Sequence, residues 1–495
     1  MTTAVNLRKI LDRKQWEPLN PIPAVNFLCT AIAATPPNWP VPMALYNSAS
    51  TTSYLYNISE DAWLQIPSGT LGTQAAGTCG TFHPYGPSFT ASAGSTTTAT
   101  STLTIPGSLA GYKMRCTAGT GAGQEVTIVS NTYGANSVIT FAAVGTGFDN
   151  TSVFQIMSGR FWFLTATGAA VTWKYYDVAT NAWTAKLVTS GPASNWGVDG
   201  ACIATAGLCC TSAVGGFAGA IASGTATAGA AATLTNSGKA WATNQWANYQ
   251  VRITSGTGAG QIRTINSNTG TVLTVSANWA TNPDATSVYV IEGNDDWIWV
   301  IGNAAVTMFR YAISGIAGLS ANAQATGDTW ITVAPGAARA AVVGAGASLN
   351  WISDSADATF TIENAILNGR RLYSFRGNAG NVLDIYDIPS NTWALGPLTY
   401  NRQSIVFGSG TSYDAHKGVI YINDQQSITG NNYRYNCATQ TLDALARNQY
   451  PNTGGSSAVV GRKIFVAAYY DGAVEIDWIY TALCQTLPWF RLMLI

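Results

Sequence analysis

Apolar and polar residues alternate with a period of two along much of this chain. Between residues 248 and 292 the alternating pairs are Val251 and Ile253, Ile262 and Thr264, Val272 and Thr274, and Val288 and Val290, with Gly, Asn, Ser and Thr between them. Alternation bounded by such residues predicts short antiparallel strands joined by turns. Further strands are predicted at Phe161 to Leu164, Trp297 to Ile301, Arg371 to Phe375, Val419 to Ile422 and Lys463 to Val466. Helical spacing is convincing in one place, Leu7 to Trp16, where Leu7, Ile10 and Leu11 share a face and Pro18 ends the pattern. A proline-rich run, Pro18 to Pro42, follows and reads as extended chain.

Two repeats organise these strands. The first is Tyr, Asn or Asp, Ile or Val, four variable residues and Trp. It occurs at Tyr56-Asn57-Ile58 with Trp63, Tyr176-Asp177-Val178 with Trp183, and Tyr386-Asp387-Ile388 with Trp393. Weaker copies are Tyr435-Asn436-Cys437, with Leu442 in the Trp place, and Tyr311-Ala312-Ile313, whose Trp330 comes late. Each copy reads as strand, tight turn and strand, with Ala179-Thr180-Asn181 or Pro389-Ser390-Asn391 as turn chemistry. A unit this small cannot bury its own apolar face and must stack on neighbours.

The second repeat fills the long intervals of the first. Gly119 to Gln124 and Gly256 to Gln261 both read Gly-Thr-Gly-Ala-Gly-Gln, each followed by Ser-Asn-Thr (from Ser130 and Ser267) and Thr-Ser-Val (from Thr151 and Thr286). Two such β modules, removed from the intervals Trp63 to Trp183 and Trp183 to Trp330, leave roughly blade-sized remainders, comparable with the roughly 50-residue period of kelch repeats. The Tyr-Asp-x-x-x-x-x-Trp stretch resembles kelch blades, although the Gly-Gly pair of that consensus is missing. The expected fold is therefore all-β: a kelch-like β-propeller of about six blades with two homologous inserted small β domains. Its expected divisions are an N-terminal arm at 1–40, propeller at 41–74, 158–204 and 294–495, module 1 at 75–157 and module 2 at 205–293.

Composition agrees and narrows the function. Lys plus Arg (24) balance Asp plus Glu (24), and charged residues are only 10% of 495, against about 25% in an ordinary soluble protein. Helix surfaces need more charge than this, and nucleic-acid binding needs a basic excess. The basic start, Met1 to Arg13, lacks an apolar signal core, and no apolar run is long enough to predict a spanning helix.

Candidate chemistry is sparse. Eight cysteines show no CxxC spacing, and the only histidines, His83 and His416, are read as structural, His83 in a Gly/Pro-rich loop from Gly80 to Pro87. Whether any cysteines pair, including Cys209 and Cys210, stays open. The glycine loops are followed by strand sequence and carry no Lys for phosphate, so Gln124 and Gln261 are expected to tie down hairpin turns. Asp295, Asp296, Asp354, Asp357, Glu363, Glu475 and Asp477 are the carboxylates available for hydrolysis, and Asp177 and Asp387 read as turn caps. No catalytic, cofactor or metal residues are assigned.

Binding candidates are aromatic and apolar. Trp63, Trp183, Trp330 and Trp393 are expected in the core, while Trp241, Trp246 and Trp279 lie outside the repeat and are expected to offer a ligand platform. Leu7, Ile10, Leu11 and Trp16 are expected to reach a neighbouring subunit or else cover the chain's own propeller, and Trp489, Phe490 and Leu492 to bury in a partner or else close the last blade.

The GTGAGQ…SNT…TSVY module resembles β modules of tailed-bacteriophage structural proteins, and a charge-poor kelch-like propeller with such insertions resembles a virion component. The resemblance implies a non-enzymatic, ring-forming tail or neck subunit, nozzle- or hub-like. It would contact copies of itself and other virion proteins, and be located in the virion after assembly in the bacterial cytoplasm. The alternative is a glycan- or receptor-binding propeller of a fibre or spike, with or without hydrolase activity, whose partner is a host-surface glycan.

Overall fold

A computed structural model describes residues 79–189 and 220–292 nearly throughout, and elsewhere between Glu17 and Leu483 mainly strands and short adjoining stretches. The described elements are all strands. They form six four-stranded and two seven-stranded antiparallel sheets among the described residues.

Five of the four-stranded sheets are consecutive in sequence apart from insertions. Sheet I comprises Thr30–Ala33, Met43–Asn47, Ser53–Asn57 and Ala62–Ile66; sheet II comprises Cys79–His83, Arg160–Thr167, Ala170–Asp177 and Ala182–Lys186. Sheet III comprises Cys202–Ala206, Trp297–Ile301, Met308–Ala312 and Thr329–Val333. Sheet IV runs from Ser348–Trp351 through Arg371–Phe375 and Val382–Asp387 to Thr392–Thr399. Sheet V runs from Gly410–Asp414 through Val419–Asp424 and Asn431–Asn436 to Thr441–Ala444. Sheet VI contains Gly455–Val460, Lys463–Ala468 and Trp478–Leu483, and its fourth strand is Glu17–Pro18 from the other end of the chain.

The Tyr/Trp repeat has one structural meaning in all five copies. Tyr56 pairs with Trp63, Tyr176 with Trp183, Tyr311 with Trp330, Tyr386 with Trp393 and Tyr435 with Leu442, always across the third and fourth strands. Such directly opposed aromatic pairs stabilise a sheet. In the second copy the turn is capped by its Asp: Asp177 Oδ1 accepts the amides of Ala179 and Thr180, and Asn181 takes φ 52°.

Aromatic seams join successive sheets. Trp162 and Trp173 of sheet II pack on Tyr311 and Trp330 of sheet III, with ring centroids 4.9–5.3 Å apart. Trp299 of sheet III meets Tyr386 of sheet IV, and Tyr373 of sheet IV meets Tyr435 of sheet V. Trp330 and Trp393 are buried as expected, and Trp183 is partly buried against the seam of sheets I and II. Truncating an indole buried like Trp330 to Ala costs about 3–5 kcal/mol. The first strands also touch one another: Thr30–Ala33 contacts Cys79–His83 and Gly455–Val460, Cys202–Ala206 contacts Cys79–His83 and Ser348–Trp351, and Gly410–Asp414 contacts Ser348–Trp351 and Gly455–Val460. Between sheets II and III this contact includes the Thr81 and Thr205 hydroxyls, 3.0 Å apart.

Each seven-stranded sheet is one module. Module 1 has the order Ser88–Thr90, Val153–Met157, Lys113–Ala118, Glu125–Asn131, Val138–Phe141, Thr98–Thr100, Ala93–Gly94. Its first and last members are nearly contiguous in sequence, so the sheet closes on itself as a small barrel around Phe89, Met114, Ile128, Ile139 and Phe154. Module 2 repeats this order from Ala220–Thr225 and Val288–Glu292, through Gln250–Ser255, Ile262–Asn268 and Val272–Val275, to Thr233–Thr235 and Ala228–Ala230. Closure removes the exposed edges that an inserted sheet would otherwise present.

Several expectations are corrected. The segment expected as an N-terminal arm to residue 40 contains two strands, Glu17–Pro18 of sheet VI and Thr30–Ala33 of sheet I, so these parts belong to the chain's own sheets. Cys79–His83 belongs to sheet II and not to module 1, because Phe82 and Thr81 pair with Phe161 and Trp162. Both modules therefore enter between the first and second strands of consecutive sheets. His83 ends that strand and is 1% exposed, not in a loop. The helix expected at Leu7 to Trp16, and His416, Cys209 and Cys210, lie outside the described residues.

Candidate interface between the inserted modules

In a small barrel, alternate side chains of each strand fill the core and the others face outward. Glu125–Asn131 follows that rule over most of its length, alternating buried Val126 and Ile128 with exposed Thr127 and Val129. Strand Lys113–Ala118 does not. Met114 and Cys116 fill the core, yet Arg115, which points outward, is 0% exposed. The equivalent strand of module 2 behaves alike: Val251 and Ile253 fill its core, and outward-pointing Gln250 and Arg252 are 1% and 0% exposed.

The two modules touch beside these strands. A Cβ on Gly260 of module 2 would lie 2.4 Å from the Ala122 carbonyl oxygen of module 1, so the two glycine loops touch. Nearby, Arg115 donates from Nε (3.2 Å) and Nη2 (2.9 Å) to Glu125 Oε2, and Lys113 Nζ lies 3.3 Å from Oε1. The Glu125 side chain is 1% exposed. Burial alone would raise its pKa, but Arg115, Arg252 of the other module and Lys113 together hold the carboxyl below its usual range. Arg115 and Arg252 occupy the same position in the two copies, and both are buried and act on Glu125.

The shared motif builds the loops behind this interface. Gly119 and Gly256 take φ +76° and +79°, and a Cβ on either would sit 1.9 or 2.0 Å from the carbonyl oxygen of Thr151 or Thr286. The Thr120 and Thr257 amides each donate to the Thr151 and Thr286 hydroxyls at 3.1 Å. Ser152 and Ser287 donate back to the Thr120 and Thr257 carbonyls at 2.7 and 2.6 Å. Asp149 and Asp284 accept the hydroxyls of Thr151 and Thr286 at 2.6 Å, which lowers both carboxyl pKa values. Gln124 and Gln261 donate to the Gly121 and Gly258 carbonyls at 3.3 and 3.1 Å, tying down the turns as expected.

The expected ligand platform is corrected. Trp246 and Trp279 are 3% and 4% exposed within the core of module 2, and Trp241 packs partly buried against the same cluster. Arg263 lies over the Trp279 ring at 5.5 Å, where module 1 has Val126 in the core. These indoles fill space that smaller apolar residues fill in module 1. The expected partner-binding residues Leu7, Ile10, Leu11, Trp16, Trp489, Phe490 and Leu492 lie outside the described residues, as do the carboxylates Asp295, Asp296, Asp354, Asp357, Glu363, Glu475 and Asp477.

Elsewhere burial suppresses reactivity. His83 is held well below its usual pKa by burial and by the Arg160 charge, and Arg160 pairs with Asp177 at 2.8 Å. Cys202 is pushed up to about 12 and Cys116 to about 11, both mainly by burial, and Cys79, Cys116, Cys202 and Cys437 are free thiols. No group of three or more His, Cys, Asp or Glu is placed to hold a metal ion among the described residues.

The signal for Lys113, Arg115, Glu125 and Arg252 was present in the sequence. Arg recurs at one position of both copies, in a chain with few charges and on the outward phase of an alternating strand. No protein family matches the chain, and no curated protein does. Among solved structures, regucalcin from Agrobacterium tumefaciens str. C58, a calcium-binding protein, is similar over 94% of this chain and 94% of its own. The identity is 9% and the TM-score 0.35. A likeness of that strength carries no argument about fold detail or ligand.

Proposed function

We propose that the six four-stranded sheets are the blades of a kelch-like β-propeller and that the chain is a non-enzymatic structural subunit of a tailed-phage particle, ring-forming in tail or neck. The first strands touching in the order I, II, III, IV, V, VI and back to I support the propeller. Glu17–Pro18 completing the last sheet supports its closure by the two ends of the chain. The observation that carries the role is the docked pair of closed modules, inserted at one equivalent point of consecutive sheets. Their shared motif is consumed by internal bonds that stiffen loops, which suits a rigid spacer or contact element. With the modules docked, Arg115 and Arg252 are buried and add no charge to the exposed surface.

A second reading, recognition of a receptor or glycan, is favoured by one feature of module 1. Val129 and Tyr133 are 61% and 66% exposed, where module 2 has Asn266 and Gly270 at the equivalent places. An exposed aromatic on a projecting barrel suits partner recognition.

Negative-stain imaging with mass measurement of the full chain separates the two. A stable ring, or the chain recovered from purified particles, is expected. A monodisperse monomer that retains a glycan on an array overturns the structural reading. Removing residues 1–16 leaves Glu17–Pro18 in place and is expected to weaken assembly while the fold persists; unchanged assembly removes Leu7, Ile10, Leu11 and Trp16 from the interface.

A further inference from the structure

We infer that sheet IV carries a binding site for a small monocarboxylate, held by Arg339 Nη1 and the Ser374 hydroxyl at the seam with sheet III. The site goes beyond the structural role proposed for the chain and does not depend on it.

Sheet IV breaks a rule that the other sheets keep. Two positions before each repeat tyrosine, the register pair joining second and third strands is Tyr46 with Tyr54, Phe163 with Lys174, Val300 with Phe309 and Ile422 with Tyr433. In sheet IV the same place holds Ser374 and Asp384, which are 0% and 2% exposed. A buried hydroxyl and carboxylate, where the other sheets place mostly apolar side chains, must be paired, and departures of this kind mark functional places. Two arginines pair them. Arg376 donates from Nε to Asp384 Oδ2 at 2.8 Å and from Nη2 to Oδ1 at 2.7 Å. Arg339, in the connection between sheets III and IV, donates from Nε to Asp384 Oδ2 and from Nη2 to Ser374 Oγ, both at 2.9 Å.

These bonds leave donors unspent. Arg339 Nη1 is buried without a hydrogen-bond partner, on a side chain that is 0% exposed. Ser374 accepts from Arg339, and its own O–H finds no acceptor among the described residues. Two guanidiniums, Arg339 and Arg376, share the one carboxylate of Asp384, so the cluster carries a single positive charge in excess. One further carboxylate supplies the missing charge, and its planar pair of oxygens matches a guanidinium edge.

The strand order places the cluster. In these antiparallel sheets the connections after second and fourth strands lie at one end, and both modules leave from the other, after first strands. The Gly344 amide donates to the Arg376 carbonyl at 2.9 Å, and the Ala304 amide to the Val343 carbonyl at 2.8 Å. Those bonds tie together the connections that carry both arginines. Val306 and Val342 on the same connections are 45% and 48% exposed. Apolar side chains near a buried cation suit a carboxylate with a short aliphatic chain, of which butyrate is a simple case.

The test is saturation-transfer NMR of butyrate with the full chain at pH 7 and constant ionic strength. Butyrate is expected to bind saturably, and butyramide, its neutral counterpart, not to bind. Arg339→Met is expected to weaken butyrate by about tenfold or more, and Ser374→Ala by about threefold. Arg434→Met, which cuts the more exposed pair with Asp443, is expected to leave the affinity unchanged. In a structure determined with butyrate, a carboxylate oxygen is expected at hydrogen-bond distance from Arg339 Nη1. Absence of saturable binding overturns the site. So does equal affinity in wild type and Arg339→Met, or a water alone at Nη1 under saturating butyrate. Should Arg339→Met fail to fold, Ser374→Ala and the butyrate-bound structure decide the matter.

Discussion

Modules 1 and 2 share one scaffold and present different surfaces. Their loops superimpose in chemistry: Gly119 and Gly256 meet Thr151 and Thr286 at nearly the same separation, and Asp149 and Asp284 cap the same turn. Outside those loops they diverge. Module 1 places Glu125, Val126, Val129 and Tyr133 where module 2 places Ile262, Arg263, Asn266 and Gly270. The repeated loop residues are those that make bonds inside each barrel. The residues that differ decide what each barrel meets: a partner module through Glu125, solvent or a further partner through Tyr133.

The comparison is most exposed to failure at Glu125. Glu125→Gln breaks the buried pair with Arg115 and the contact with Lys113 and is expected to cost about 3–5 kcal/mol of stability in denaturant unfolding. Ile262→Gln, at the equivalent place, is expected to cost about 1 kcal/mol or less. Equal costs would erase the asymmetry. Next come the glycines. Gly119→Ala and Gly256→Ala each force a side chain onto a carbonyl oxygen at positive φ and are expected to lose about 2–3 kcal/mol, by similar amounts in the two modules.

Smaller effects sharpen the loop comparison. Asp149→Ala and Asp284→Ala are expected to lower the melting temperature slightly and equally at pH 7. Both carboxyls titrate below their ordinary 3.8 in the folded chain. Their contribution is therefore present above that value and lost as pH falls through the folded one, so wild type and variants should converge in acid. The smallest effect is Tyr133→Ser, expected to change stability by no more than about 0.5 kcal/mol. It should reduce partner or glycan binding only under the second reading of function.

Much of the fold was legible because local signals and long-range packing agree. The Tyr/Trp pattern could be read along the chain because the tight turn places its two aromatics directly opposite each other, as Tyr176 and Trp183 show. Trp297–Ile301 and Arg371–Phe375 were bounded correctly by their β-branched and aromatic runs. The strand Glu17–Pro18 was not legible, since two residues beside prolines carry no strand period and their partner lies at Thr481 and Tyr480. The platform assigned to Trp241, Trp246 and Trp279 failed because composition identifies a large aromatic but not the barrel that encloses it. The seam at Arg115 was missed for the complementary reason. Alternation says which side chains point outward; it does not say what covers them.

The face-to-face docking of the two modules is tested most directly by a double-mutant cycle on the full chain, combining Glu125→Gln with Arg252→Met and following denaturant unfolding of the barrels. Docking through these residues predicts that the double variant is less damaged than the sum of the single ones, with a coupling of about 1–3 kcal/mol. Effects that simply add, within about 0.5 kcal/mol, would place the two side chains apart and contradict the docked pair.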